Sequence, residues 1–389
     1  MKIANRMETL SPSVTMAITA LGRELKAQGK DILSFSAGEP DFDTPELIKQ
    51  AAIKAINEGH TKYTAVEGII ATKQAIINKL KKDHNLDYKL EGIVISNGAK
   101  HSLFNLFQVL VEEGDEVIIP APYWVTYPEQ VKFSGGVPVF IETDDSTEFK
   151  ITPEQLKAAI TPKTKILLLN TPSNPTGSVY SKEELLALGE VLKGTDIIVL
   201  SDEMYEKIMY NGKKFTACAE VSEDMYKRTV TINGLSKAVA MTGWRFGYIA
   251  TPDVALAKAL TKLQGQVTSN INTMTQYAAI PALEGEADET IEMMRVEFEK
   301  RKNYAVKAFN EIKGLSCVEP DGAFYLFVNI KNVTPDSMKF CADLLEEKGV
   351  ALVPGLAFGT EGYVRFSFAT DLATIQEGIK RIKEFVESK

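Results

Sequence analysis

The stretch "DIIVLSDEMY" occupies residues 196–205. Ile197 to Leu200 form an unbroken apolar run, and the chain turns acidic directly after it, at Asp202 and Glu203. Strict alternation would mark a strand with one wet face. A continuous run of this length marks a strand covered on both faces, as in a parallel sheet. In such sheets ligands bind at the C-terminal ends of the strands, which is where Asp202 falls. Its carboxylate could cap the next segment or pair with a ligand cation, and the run alone leaves both readings open.

Six further short apolar runs follow, and most are likewise continuous rather than alternating: "GIVIS" (92–96), "EVIIP" (116–120), "VPVFIE" (137–142), "KILLLN" (165–170), "RTVTIN" (228–233) and "RFGYIA" (245–250). Helical patterns lie between several of them, at 99–111, 124–133, 152–160 and 181–193. This alternation predicts an α/β fold built on a large, doubly wound, mainly parallel seven-stranded sheet. Upstream, Thr44 is expected to cap a helix that starts at Pro45 and ends at Gly59. A second helical pattern spans 68–84. Beyond residue 285 the texture changes to a long amphipathic helix at 288–314. Then come "AFYLFVNI", a helix near 335–348, "VALVPG", "YVRFSFA" and a terminal helix at 371–388, which together read as a smaller α+β unit. The first 45 residues have no strand neighbours of their own. The expected division is a large domain at 46–290 and a small domain formed by 1–45 with 291–389.

The chain has 389 residues, 44% hydrophobic and 25% charged, enough for two ordinary globular domains. Its 44 Lys+Arg against 52 Asp+Glu give a net charge of −8. That balance argues against a general nucleic-acid or anionic-membrane binder, while leaving room for a local basic pocket. Cys218, Cys317 and Cys341 are scattered without CxxC spacing, and His60, His84 and His101 are the only histidines. Neither a disulfide framework nor a metal centre is expected. The start, "MKIANRMETLSPSV", lacks the apolar run of a signal peptide, and no segment approaches ~20 apolar residues. A cytoplasmic enzyme is the resulting expectation.

The chemistry gathers in a few short motifs. In "NGLSKAVAMTGWRFGY" (233–248), Lys237 and Arg245 flank "AVAMTGW", with no acid beside them. Apolar surroundings and a neighbouring cation depress a lysine pKa and make the amine nucleophilic toward carbonyls. A lone turn lysine would be a surface residue, so the company decides. In "NTPSNPTG" (170–177), prolines at 172 and 175 hold the amide of Asn174 in one orientation, and the Asn174–Pro175 bond could be cis. In "SNGAKHS" (96–102), a helix start near Ala99 offers free N–H groups to an anion, with Lys100 adding charge. Trp124, in "APYW", could pack in the core or stack on a flat ring. Arg365, in the apolar "YVRFSF", needs an anion from the protein or from a ligand.

In this order and spacing the motifs resemble the class I pyridoxal-phosphate (PLP) aminotransferases of fold type I. The segments "GEPDFDTP" (38–45), "KYTA" (62–65), "SNPTG" (173–177), "SDEMY" (201–205) and "SKAVAMTGWR" (236–245) are similar to those of the bacterial aspartate aminotransferase subgroup, and the similarity covers essentially the whole chain. The resemblance implies the following roles. Lys237 would carry PLP as a lysine aldimine and later move the substrate proton. Asp202 would pair with the pyridinium nitrogen, and Asn174 and Tyr205 would hydrogen-bond the ring oxygen. Trp124 would stack on the ring. Gly98, Ala99, Lys100, Ser236 and Arg245 would form the phosphate cup. Tyr63 would reach the phosphate from the other subunit, so the active unit would be a homodimer. Arg365 would fork the substrate α-carboxylate, with Gly38 touching it through the backbone and Trp124 and Asn174 lining the same place.

There are departures. Many members of the family have a serine two places before Ser236, where this chain has Gly234. The arginine that binds the distal carboxylate in animal-type enzymes has no counterpart, since "GQVTSNINTMTQYAA" (265–279) contains no Arg or Lys. In the bacterial subgroup a lysine matching Lys100 and small polar residues matching Ser13 and Thr15 serve instead. The resemblance thus implies transamination of L-aspartate with 2-oxoglutarate by ping-pong half-reactions. An aminotransferase for aromatic amino acids or prephenate, and a PLP C–S lyase on the same fold, are the alternatives. The partners implied are small amino and 2-oxo acids, not nucleic acid or membrane.

Overall fold

All seven apolar runs become strands of one sheet in the computed structural model, which describes residues 1–389. In spatial order they are Ile93–Asn97, Phe246–Ala250, Thr229–Gly234, Ile198–Asp202, Thr164–Asn170, Glu116–Ala121 and Val137–Glu142. Only Phe246–Ala250 pairs antiparallel with its two neighbours; the remaining pairs are parallel. The central strands are covered on both faces. Leu200 packs with Ile166 and Leu168 in one apolar cluster, whereas Val199 packs with Leu167 and Leu169 in another. Register brings Asn170 opposite Asp202 and Asp202 opposite Ile232, so the strand ends that carry polar residues share one edge.

A second, antiparallel sheet contains Val353–Pro354, Tyr363–Ser367, Tyr325–Asn329 and Ser316–Cys317. The N-terminal segment is built into this part of the molecule. Leu33–Ser34 pairs in parallel with Val350–Ala351, and Phe35 stacks on Phe366 with ring centroids 4.3 Å apart. From there a strap at residues 36–45 crosses to the large sheet. Lys237 donates to the Gly38 carbonyl, and Thr242 donates to Glu39 at 3.0 Å.

Several local expectations are corrected. Thr44 caps no helix: its hydroxyl donates to the Ala240 carbonyl at 2.7 Å and accepts from the Trp244 indole at 3.0 Å. The helix runs Glu46–Asn57 behind Pro45, because Thr44 anchors the strap instead. The next helix is Ile70–His84, since Gly68 takes a φ of 111° under Ile95. The long helix stops at Asn310 rather than 314, and a turn closes at Gly314, φ 92°. Among the prolines of "NTPSNPTG", the cis bond is Thr171–Pro172, not Asn174–Pro175.

Candidate active site

The C-terminal edge of the large sheet, the strap and the second sheet enclose a cavity of about 520 Å³. Gly38, Ala99, Lys100, Trp124, Asn174, Asp202, Tyr205, Ser236, Lys237, Arg245, Arg365 and Thr15 all line it. Gly98 lies directly behind, where a Cβ would stand 2.5 Å from an Arg245 guanidinium nitrogen. Ser13 lies apart. It caps the helix Val14–Ala27, shares a hydrogen bond with Thr15 at 2.9 Å, and borders a second cavity of about 560 Å³ that meets the first at Lys100. Tyr63 is 89% exposed and lines neither cavity.

Asp202 is buried at the end of its strand. It accepts from the Tyr127 hydroxyl at 2.7 Å and from the Met204 N–H at 3.3 Å. Burial pushes its pKa up to about 6, against the pull of those two donors and of Lys237. A buried carboxylate in this state gains from a cation brought against it. Asn170 sets the neighbouring turn: its side chain accepts from the Asn174 N–H at 2.8 Å and donates to the Asp202 carbonyl at 3.0 Å.

Lys237 follows the strand Thr229–Gly234. Burial lowers its pKa to about 8; Glu39 opposes the fall, and Arg365 and Arg245 add to it. The fold therefore corrects the impression of an acid-free setting. Glu39 arrives from 198 positions upstream, and Asp202 adds a further negative charge, yet neither forms an ion pair with the amine.

Arg365 is buried with no carboxylate beside it. One guanidinium nitrogen donates to the Asn174 amide oxygen at 2.9 Å and another to the Ser36 carbonyl at 2.6 Å, while Nε has no partner. The cation lies 4.5 Å from the Tyr325 ring centre, and Tyr325 shares a hydrogen bond with Tyr205 at 2.9 Å. Burying a guanidinium is costly unless an anion completes it.

At the other end of the cavity the helix Ala99–Leu110 begins behind Gly98, whose φ is 80°. The N–H groups of His101 and Ser102 turn back to the Gly98 carbonyl, which leaves those of Ala99 and Lys100 without an intrahelical acceptor. Arg245, at φ 60°, is fixed by donating to the Thr242 and Asn97 carbonyls. The Lys100 ammonium sits 4.8 Å over the Trp124 ring, its pKa lowered by burial and by Arg245. The absence of a serine at 234 has a steric reason: a Cβ there would meet the Phe246 carbonyl oxygen at 2.5 Å.

These groups fit PLP at each end. Free helix N–H groups, Ser236 and Arg245 suit a phosphate, a buried carboxylate suits a ring cation, and a depressed lysine suits an aldehyde. Sequence reasoning missed Tyr127, Asn170, Ser36, Tyr325 and Arg23, which also line the cavity. Asn170 stood inside a quoted motif and Tyr325 inside the quoted run "AFYLFVNI", so both had a signal. The rest had none.

A sequence profile described as aminotransferase class I and II matches residues 30–382. The aspartate aminotransferase of Geobacillus stearothermophilus is 51% identical over 396 residues, covering 100% of both chains. The crystal structure of the Rhizobium meliloti aspartate aminotransferase superposes with a TM-score of 0.96 at 41% identity, covering 100% of this chain and 99% of that one. The Thermus thermophilus aspartate aminotransferase with maleate gives 0.95 at 39% identity, covering 99% of each. With its seven-stranded sheet, its matched profile and its full-length relatives, the chain belongs to the class I and II aminotransferases.

Proposed function

We propose that the protein transfers the amino group of L-aspartate to 2-oxoglutarate, giving oxaloacetate and L-glutamate, with pyridoxal 5'-phosphate as cofactor. The observation that carries this reading is the pair of unmatched cations in one cavity: Arg365, buried with an orphaned Nε, and Lys237, its pKa near 8. When bound, PLP supplies an aldehyde for amines and a cationic ring that withdraws electrons.

Each residue then has a task. With its pKa lowered to about 8 by burial, the Lys237 Nζ would lose its proton more readily than an exposed lysine and would hold the aldehyde. With cofactor and substrate bound, the freed Nζ would take the proton from the substrate Cα and return it two bonds away, beyond the amino nitrogen. Asp202 stays ionised at neutral pH and holds a proton on the ring nitrogen. Asn174 and Tyr205 would donate to the ring oxygen, and Trp124 would cover the ring face. The N–H groups of Ala99 and Lys100, the hydroxyl of Ser236 and the guanidinium of Arg245 hold the phosphate behind Gly98. Arg365 offers its free Nε and a neighbouring N–H as a fork for the α-carboxylate, beside Gly38. Lys100 and Thr15 face the distal carboxylate, with Ser13 behind Thr15 through their shared hydrogen bond.

The working unit in this reading is a homodimer. Tyr63 lies exposed in one stretch of chain with Ile53, Ile56 and Ile70, also exposed. Paired against a second copy, that surface would bring the partner's Tyr63 to the phosphate. Residues 46–290 act as the large domain, and residues 1–45 with 291–389 as the small one, which closes over substrate through the strap. No helix is long and apolar enough to cross a membrane, and we place the enzyme in the cytoplasm.

A second reading has its own observation. Phe104, Tyr123, Phe133 and Phe140 line the adjoining cavity behind Lys100. It would seat an aromatic or prephenate-like side chain once the Lys100 side chain swings aside.

The test is a half-reaction. Cofactor-loaded protein receives L-aspartate without any keto acid, and visible absorbance and released oxaloacetate are followed. Loss of the yellow colour with stoichiometric oxaloacetate is expected. Silence with aspartate but response to phenylalanine moves the substrate to the aromatic class. Ammonia release in place of a keto acid overturns transamination.

A further inference from the structure

The chain has eight arginines. Arg228, Arg295, Arg301 and Arg381 each pair with a carboxylate. Arg6, Arg23, Arg245 and Arg365 do not, and three of those four line the active cavity. Five cations, Arg23, Lys100, Lys237, Arg245 and Arg365, face that space against a single lining acid, Asp202. Unpaired arginine collects where a ligand anion completes it. Phosphate and α-carboxylate account for Arg245 and Arg365. Arg23 is left without a task.

Its position suggests one. Thr15, Thr19 and Arg23 are spaced by four on the helix Val14–Ala27 and so share a face. That face is tied to the α-carboxylate site: the Thr19 hydroxyl shares a hydrogen bond with the Ser36 hydroxyl at 3.0 Å, and the Ser36 carbonyl holds Arg365 at 2.6 Å. A long helical side chain leans back toward the helix N-terminus, which carries the Arg23 guanidinium over Thr19 toward Arg365. Arg365 is buried at the floor and Arg23 is exposed at the lip, so a dicarboxylate lying between them meets a guanidinium at each end.

We propose that Arg23 is a specificity-determining residue that binds the distal carboxylate of the substrate, together with Lys100. The proposal rests on the dicarboxylate reading of the site. It differs from that reading in naming a second, planar donor that can grip the carboxylate with two parallel hydrogen bonds, which the Lys100 ammonium cannot.

The experiment measures the dissociation constants of succinate and butyrate with cofactor-loaded protein by calorimetry, for wild type, Arg23→Gln and Arg23→Lys. Wild type should bind succinate more tightly than butyrate. Arg23→Gln should lose about tenfold or more in succinate affinity and leave butyrate within about twofold, as expected for deleting one charged hydrogen-bond donor. Arg23→Lys should recover part of the loss. In turnover the same change should raise KM for aspartate and leave KM for alanine unmoved. Unchanged succinate binding in Arg23→Gln overturns the proposal, and so does an equal loss for both acids. If wild type itself fails to prefer succinate, the dicarboxylate reading falls, and the role of Arg23 falls with it.

Discussion

Two groups of charge meet back to back at residues 202–206. Asp202 faces the active cavity, where five cations line the walls and none is ion-paired. Glu206, four residues on, faces a buried cluster beneath the helix Ile70–His84, where every cation has its acid. Lys79 is bonded to Glu206 and lies 3.5 Å from Asp83, and Lys207 bonds Asp83 at 2.8 Å. His84 bridges Glu206 at 2.8 Å and Glu220 at 3.0 Å. Asn233 donates to Glu206 at 2.8 Å and accepts from the Gly234 N–H, three residues before Lys237. Polar side-chain atoms, one each from Asp83, His84 and Glu206, lie within 4.8 Å of one another, and Lys79 brings an ammonium to that group. Similar residue types thus serve opposite ends. Paired charges fix the turn that carries Lys237, and unpaired charges await a ligand. The first group should govern stability and the second activity.

The largest expected effect lies in the cavity. Lys237→Ala should cut turnover by at least about 10³-fold, because both the amine for the aldehyde and the proton carrier are gone. Its melting temperature should hold or rise, since a buried, unpaired cation has been removed. Steady-state kinetics with a thermal melt checks both, and near-normal turnover would break the comparison. Next comes the cluster. Glu206→Ala leaves His84 and Lys79 buried without their anion and should cost about 3–5 kcal/mol in equilibrium denaturation. A cost below about 1 kcal/mol would mean the pairing fixes nothing.

The smallest effect is a pH dependence. Burial opposes the charge on His84, but its hydrogen bonds to Glu206 and Glu220 outweigh this and raise the pKa from 6.5 to about 9. The folded state therefore holds this proton more tightly than the unfolded chain does. The stabilisation is fully present below pH 6.5 and is lost as pH climbs through about 9. Wild type should lose melting temperature across that window, and His84→Asn should lose less. Parallel curves would remove His84 from the account.

The sheet was legible because most of its strands are continuous apolar runs bounded by turn residues, and each run became a strand within two residues of its expected ends. Lys237, Asp202, Asn174 and Arg365 were legible because each sits within a strand or in the turn that follows one, in surroundings that do not satisfy it. Residues whose part depends on distant chain were not. Tyr127 reaches Asp202 across 75 positions, Ser36 holds Arg365 across 329, and His84 meets Glu206 across 122. No local pattern carries such pairings. Thr44 shows the reverse error: its capping pattern was right in isolation, and Trp244, 200 positions away, took its hydroxyl instead.

The pairing of Asn170 with Asp202 has a consequence for how the sheet finds its alignment. Sliding one strand by a single residue turns each side chain to the opposite face. Where one face is wet, water penalises that slip, but Ile166 to Leu169 and Val199 to Leu200 are buried on both faces, and oil cannot tell them apart. Polar bonds at the strand ends can. The Asn170 amide and the Thr171 N–H both donate to the Asp202 carbonyl, at 3.0 and 3.1 Å, and each bond forms in one alignment only. The residues that make the catalytic edge are also the sheet's vernier, so a chain that has zipped correctly has, in the same act, set its active site.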